Sequence, residues 1–104
     1  MEKLEFLIKN VFFGLENLND GFDSEAIFYF SETDFEIVLN RVKNLGIGIW
    51  GIETWYKGEF FDVKEFKDYT TFSTDSNWYF KAFEEFKETK LNLQYSASFE
   101  IINP

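Results

Sequence analysis

From Leu91 to Ile101 the chain alternates without a break. Leu91, Leu93, Tyr95, Ala97, Phe99 and Ile101 are apolar, while Asn92, Gln94, Ser96, Ser98 and Glu100 are polar. Successive strand residues face opposite ways, so this run specifies a strand with one buried face and one wet face. Such half-wet strands belong to antiparallel sheets covered on one side only. The remainder of the chain has to provide that cover and the neighbouring strands.

Two segments read clearly as covering helices. Ser31 is a good N-cap, and Glu32 and Asp34 suit the positive end of a helix dipole. Phe35, Val38, Leu39, Val42 and Leu45 then form a stripe, and Gly46 is a natural residue to end on. Asp75 or Ser76 can cap a second helix with Tyr79, Ala82, Phe83 and Phe86 facing inward. On its other side Lys81 and Glu85 stand four residues apart, a spacing that pairs charges on a helix surface. A further amphipathic pattern spans residues 1–18 through Leu4, Leu7, Ile8, Val11, Phe12, Leu15 and Leu18, although Gly14 weakens its interior. Asn19-Asp20-Gly21 marks a turn after it.

Three more strands are expected. Residues 25–30, Glu-Ala-Ile-Phe-Tyr-Phe, form a short apolar run between turn residues. Residues 47–55 are rich in Ile and Trp, and Lys57-Gly58 offers a tight turn into a returning strand over Glu59–Val63. Residues 64–74 lack a period and read as a loop. The whole is one α+β domain over 1–104: an N-terminal helix, then strand–helix–strand–strand–helix–strand. That order matches a ferredoxin-like βαββαβ with an antiparallel sheet and its helices on one face. The N-terminal helix could pack beside the other two or cover the opposite face near Ile27 and Tyr29.

Composition narrows the function. Histidine and cysteine are both absent, which removes imidazole acid–base chemistry, thiolate chemistry, disulfides and most transition-metal sites. No apolar run approaches the roughly 18–20 residues that cross a bilayer, and the first residues do not read as a secretory signal, so the expected location is cytoplasmic. Ten basic against nineteen acidic residues give a formal charge of −9. That field repels nucleic acid and anionic membranes and attracts basic proteins. The expectation is therefore no enzyme, no cofactor, no metal, no nucleic acid and no membrane.

Three motifs invite chemistry and give little. Lys57-Gly58-Glu59-Phe60-Phe61-Asp62-Val63-Lys64 resembles the third-strand signature of RNA-recognition motifs at Lys57, Gly58, Phe61 and Val63. Glu59 and Lys64 replace its stacking aromatics, and Asp62 adds a negative charge where phosphates would pass. Asp20–Glu25 is acidic but lacks the spacing of a calcium loop. Glu53 and Asp62 could face each other across the hairpin as a carboxylate pair, yet adjacent strand carboxylates are common and the domain is small for a cleft.

The aromatic excess is more telling, with 15 Phe, 5 Tyr and 3 Trp. Most must fill the core. The central hairpin, however, carries bulk at consecutive positions (Ile49-Trp50, Trp55-Tyr56, Phe60-Phe61), so both sheet faces hold large side chains. Rings beside carboxylates suit a protein interface with aromatic anchors and a charged rim. Glu53, Asp62, Glu65 and Asp68 are the candidate contacts for cationic groups, with Trp55, Tyr56 and Tyr69 as anchors.

A small, acidic, aromatic-rich chain without a catalytic set resembles bacterial toxin-immunity proteins, such as those of contact-dependent growth inhibition systems. The resemblance is one of type over the whole chain, and it transfers no site residues. It implies a cytoplasmic inhibitor that binds one cognate protein toxin, frequently a basic nuclease, and occludes its active site. A small-ligand or regulatory ferredoxin-like domain acting as a homodimer is the alternative.

Overall fold

The computed structural model describes residues 2–101. In chain order it contains α1 (Lys3–Asn10), α2 (Glu32–Leu45), β1 (Gly48–Tyr56), β2 (Glu59–Glu65), a short 3-10 turn (Phe66–Asp68), α3 (Ser76–Thr89) and β3 (Gln94–Glu100). The three strands form one antiparallel sheet in the order β2–β1–β3. The molecule is thus α+β, with three helices against a three-stranded sheet among the described residues. None of these helices is long and apolar enough to cross a membrane.

Local sequence accounts for most of these elements. Ser31 accepts the Asp34 N–H at 3.2 Å and opens α2, and Gly46 closes it in the left-handed conformation at φ 71°. Asp75 caps α3 by accepting the Asn77 N–H at 3.0 Å. Lys57 and Gly58, at φ 50° and 80°, give the two-residue turn whose twist suits a hairpin.

Tyr95 is the hub of the core. Phe35 from α2 stacks on its ring at 5.0 Å, and Phe83 and Phe86 from α3 approach edge-on at 5.1 and 6.1 Å. Both long helices therefore lie on the same sheet face, the one that also carries Ile52, Thr54 and Phe99. Burial of these large rings supplies the bulk of the stabilisation, on the order of 1.5–3 kcal/mol for each fully enclosed side chain.

Two expectations need correction. The strand expected over 25–30 is reduced to one bridge, Phe30 to Tyr95, at the outer edge of β3. The reason lies in Tyr29, whose N–H bonds the Asn17 side chain at 3.0 Å and whose C=O takes the Leu18 N–H at 2.8 Å. These bonds hold the preceding chain away from the sheet, so a four-stranded ferredoxin-like order is not formed. The N-terminal helix is also shorter than residues 1–18, ending at Asn10. Phe12 turns inward against Phe30 and Phe99 at 5.0 and 5.8 Å. Arg41 of α2 then collects the Val11 and Phe13 carbonyls at 2.9 and 2.7 Å, with its guanidinium 3.7 Å from the centre of the Phe13 ring. A cation on these carbonyls completes a helix end that has no following turn to bond.

Candidate functional site

With both long helices on one face, the other face of the sheet carries neither of them, and its β2 side is exposed. Strand register decides what it shows. Glu53 pairs with Val63 on one side and Ser96 on the other, Gly51 with Glu65 and Ser98, and Trp55 with Phe60. These residues share the helix-free face. Two bulges adjust the pattern. Trp50 is the extra residue of β1 where it passes Phe99 and Ser98, and Phe61 is the extra residue of β2 opposite Thr54 and Trp55. Trp50 consequently stands out of the face at 41% exposure, its ring 5.3 Å from Phe66. Phe60 and Val63 are 56% and 47% exposed.

The middle of this face is a shallow groove of about 270 Å³ between Trp50, Val63, Ile27 and the small residues Gly51, Ser96 and Ser98, with Glu53 and Glu65 at its walls. Glu53 is fixed in place. One of its carboxylate oxygens accepts from Trp55 Nε1 at 2.5 Å and from the Tyr29 hydroxyl at 2.9 Å. The same hydroxyl lies 2.6 Å from Asp23. Burial and these two carboxylates push the Tyr29 phenol upward from its ordinary pKa. Phe22 closes this end of the face by packing on Trp55 and Tyr29 at 5.1 and 4.9 Å. The loop that carries it is organised by Asn19, whose amide group donates to the Ser24 and Ile27 carbonyls at 2.9 and 2.8 Å.

Of the residues singled out from sequence, Glu53, Trp55 and Glu65 come together on this face. Asp62, Asp68 and Tyr69 do not. They line a separate polar groove of about 590 Å³ between β2 and α3. Asp62 pairs with Thr54 and so projects from the opposite face to Glu53, which removes the suggested carboxylate pair across the hairpin. In the second groove, Tyr69 donates to Glu85 at 2.5 Å and Lys64 lies 3.7 Å from the same carboxylate. The Tyr69 hydroxyl together with Lys64 and Lys81 holds the Glu85 carboxyl below its usual range, with residual burial opposing. Asp75 is engaged with Asn77 and Thr70. Lys64 and Glu85 thus answer each other within the protein, while Asp62 and Asp68 add negative charge to the same groove. Tyr56 lies elsewhere again, against the core, with Lys57 and Lys90 over its ring at 5.3 and 4.2 Å.

Trp50, Phe60 and Val63 are the face residues that sequence reading left outside the site. Their signal was the pairing of bulky neighbours, but the bulges that direct them outward depend on partner strands. The acidic turn Asp20–Glu25 carries structural bonds, and among the described residues no group of three or more His, Cys, Asp or Glu side chains is placed to hold a metal. The chain matches no protein-family model, no curated protein and no solved structure.

Proposed function

We propose that this chain is a protein-binding inhibitor of the immunity type, which neutralises a basic toxin, foremost a nuclease, by seating the toxin against the helix-free sheet face. The observation that carries this reading is the exposure of Trp50, Phe60 and Val63 around Glu53 and Glu65 on a face that the long helices leave uncovered. Large exposed rings in a contiguous patch with a polar rim are the composition of interface cores. Glu53 supports the reading further, because Trp55 and Tyr29 fix its carboxylate before any partner arrives, which lowers the ordering cost of binding. The charge of −9 would speed the approach of a cationic surface. Carboxylates at the face would then occupy positions where substrate phosphates bind the toxin.

The test is capture of the partner from the native host, identification by mass spectrometry, and measurement of association with purified components. Association is expected to slow with added salt, and Phe60→Ser and Glu65→Lys are each expected to weaken binding while the fold stays intact. Inhibition of the partner's nuclease activity should fall in parallel. Salt-independent association, or wild-type affinity in both variants, overturns the reading. A stable homodimer through this face in light scattering would instead support the regulatory alternative.

A further inference from the structure

The two edges of the sheet are built differently. The β2 edge carries Glu59, Asp62, Lys64 and Glu65 and is interrupted by a bulge, devices that discourage pairing with another strand. The centre of β3, Ser96-Ala97-Ser98, has no charge and no proline, and the strand's one charged residue, Glu100, stands at its end. Phe30 exchanges two backbone hydrogen bonds of 2.8 Å with Tyr95, so both backbone groups of Tyr95 point outward from the sheet. In an antiparallel strand every second residue points the same way, and Ala97 and Phe99 therefore also aim their N–H and C=O outward. Among the described residues no strand pairs with them beyond Phe30. The chain before Phe30 veers off and leaves an apolar groove of about 280 Å³ beside the edge, walled by Leu4, Leu7, Phe12 and Ala26–Phe28.

We propose that the β3 edge binds an extended segment of a protein partner, with alternating apolar and basic residues, as an added strand. The open backbone groups of Ala97 and Phe99 require a strand in reply, because only an extended chain offers donors and acceptors at the matching repeat. The groove is small for a helix of ~10–12 Å diameter, while neighbouring strands sit only ~4.8 Å apart. One set of side chains of the incoming strand meets Leu7 and Phe12. The other set emerges on the helix-free face beside Ser98, which is small and exposed. The surrounding charge of −9 favours basic residues in this second set. The edge geometry stands alone; only the basic character of the segment rests on the partner-binding reading given above.

The experiment uses the full chain, isotopically labelled, with two synthetic hexapeptides of alternating Val and Lys. One is unmodified, and the other is N-methylated at every second backbone nitrogen. The unmodified peptide should bind, slow amide exchange at Ala97 and Phe99, and lose affinity with added salt. N-methylation should abolish binding to the unaltered protein. Ala97→Pro, which removes one outward N–H at an edge position that tolerates proline, should weaken binding about tenfold. Absence of binding, equal binding of both peptides, or shifts confined to Trp50 and Glu65 without protection at Ala97 and Phe99 overturns the added strand. The last result leaves the face itself as the binding site. Binding that proceeds through the edge without salt dependence overturns the basic character alone. A wild-type dimer that Ala97→Pro dissolves replaces the partner strand by a second copy of this chain.

Discussion

Tyr29 and Glu53, twenty-four residues apart, meet at 2.9 Å across the helix-free face of the sheet, and the same phenol also contacts Asp23 at 2.6 Å. One hydroxyl thus ties a loop carboxylate to a strand carboxylate, and Trp55 donates to the strand partner at 2.5 Å. The phenol has one proton for two acceptors, so its oxygen keeps the negative groups apart while its hydrogen serves one of them.

Tyr29→Phe removes that hydroxyl and keeps the ring. Asp23 and Glu53 then face each other without a donor between them, and the loop loses its tie to β1. Hydrogen bonds to charged groups contribute about 1.5–3 kcal/mol each. With loop relaxation and water entry, a net loss of about 1–2 kcal/mol is expected in urea unfolding. Trp55 emission should also shift toward that of a wetter indole. An unchanged unfolding midpoint with unchanged emission would show that the tie contributes nothing.

Tyr79 and Tyr95 present the opposite case. Both rings are buried, and neither hydroxyl has a hydrogen-bond partner among the described residues. An unmade bond at a buried hydroxyl costs about 1–3 kcal/mol. Tyr79→Phe and Tyr95→Phe are therefore expected to leave stability unchanged or raise it by up to about 1 kcal/mol. The contrast with Tyr29→Phe is the measurement: three identical deletions of one oxygen, with the sign of the effect set by whether that oxygen is bonded. A loss above about 1 kcal/mol in either variant would contradict this account.

The same phenols set an alkaline limit. Burial raises the pKa of Tyr79 to about 12, and burial is also the first cause of the upward displacement at Tyr29, Tyr69 and Tyr95. In the unfolded chain each titrates near pH 10. Above that value the unfolded chain has released protons that the native protein keeps. It binds fewer protons than the native state, and stability falls as pH rises. Below about pH 10 these groups are neutral in both states and add no pH dependence. The unfolding free energy from urea titrations should hold level to about pH 9 and then drop, by up to about 1.4 kcal/mol per pH unit for each phenol involved. Phenolate absorbance from these residues should appear together with unfolding. A full phenolate signal near pH 10 from protein that is still folded would contradict the burial assignment.

How far the sequence carried depends on whether the deciding contacts are local. Ser31, the Phe35–Val42 stripe and Gly46 lie within one helix, and α2 begins and ends where they place it. The Lys57-Gly58 hairpin is equally local. Residues 25–30 depended instead on Asn17 and Leu18 for their backbone partners, and the end of α1 on Arg41, thirty residues beyond Val11. The site was half legible for the same reason. Glu53, Trp55 and Glu65 share a face, but the bulge at Phe61 changes the parity of the returning strand. It places Asp62 opposite Thr54 and away from Glu53. A run of bulky neighbours such as Phe60-Phe61 does not state which of the two is the extra residue.

Gly48 offers a test of the loop that follows β2. It is buried at the start of β1, where Ile49 donates its N–H to the Ser73 carbonyl at 3.0 Å. Ser73 is itself buried, receives Trp78 Nε1 on that carbonyl at 3.3 Å, and bonds Glu100 through its hydroxyl. A methyl group on Gly48 would lie 2.3 Å from Ser73 Oγ and 3.2 Å from the Ser73 backbone carbon. The oxygen is held by Glu100 and the backbone by two hydrogen bonds, so neither can yield without breaking a contact. Gly48→Ala should therefore cost about 1–3 kcal/mol, the range for overpacking a filled interior. Gly51→Ala is the control, because its new carbon would come no closer than 3.4 Å to the Lys64 carbonyl. It should cost less than about 1 kcal/mol, since a strand position loses nothing in backbone preference when glycine becomes alanine. Equal unfolding midpoints for the two variants would mean that Ser73 moves freely, and the anchoring of the 66–75 segment on β1 would have to be abandoned.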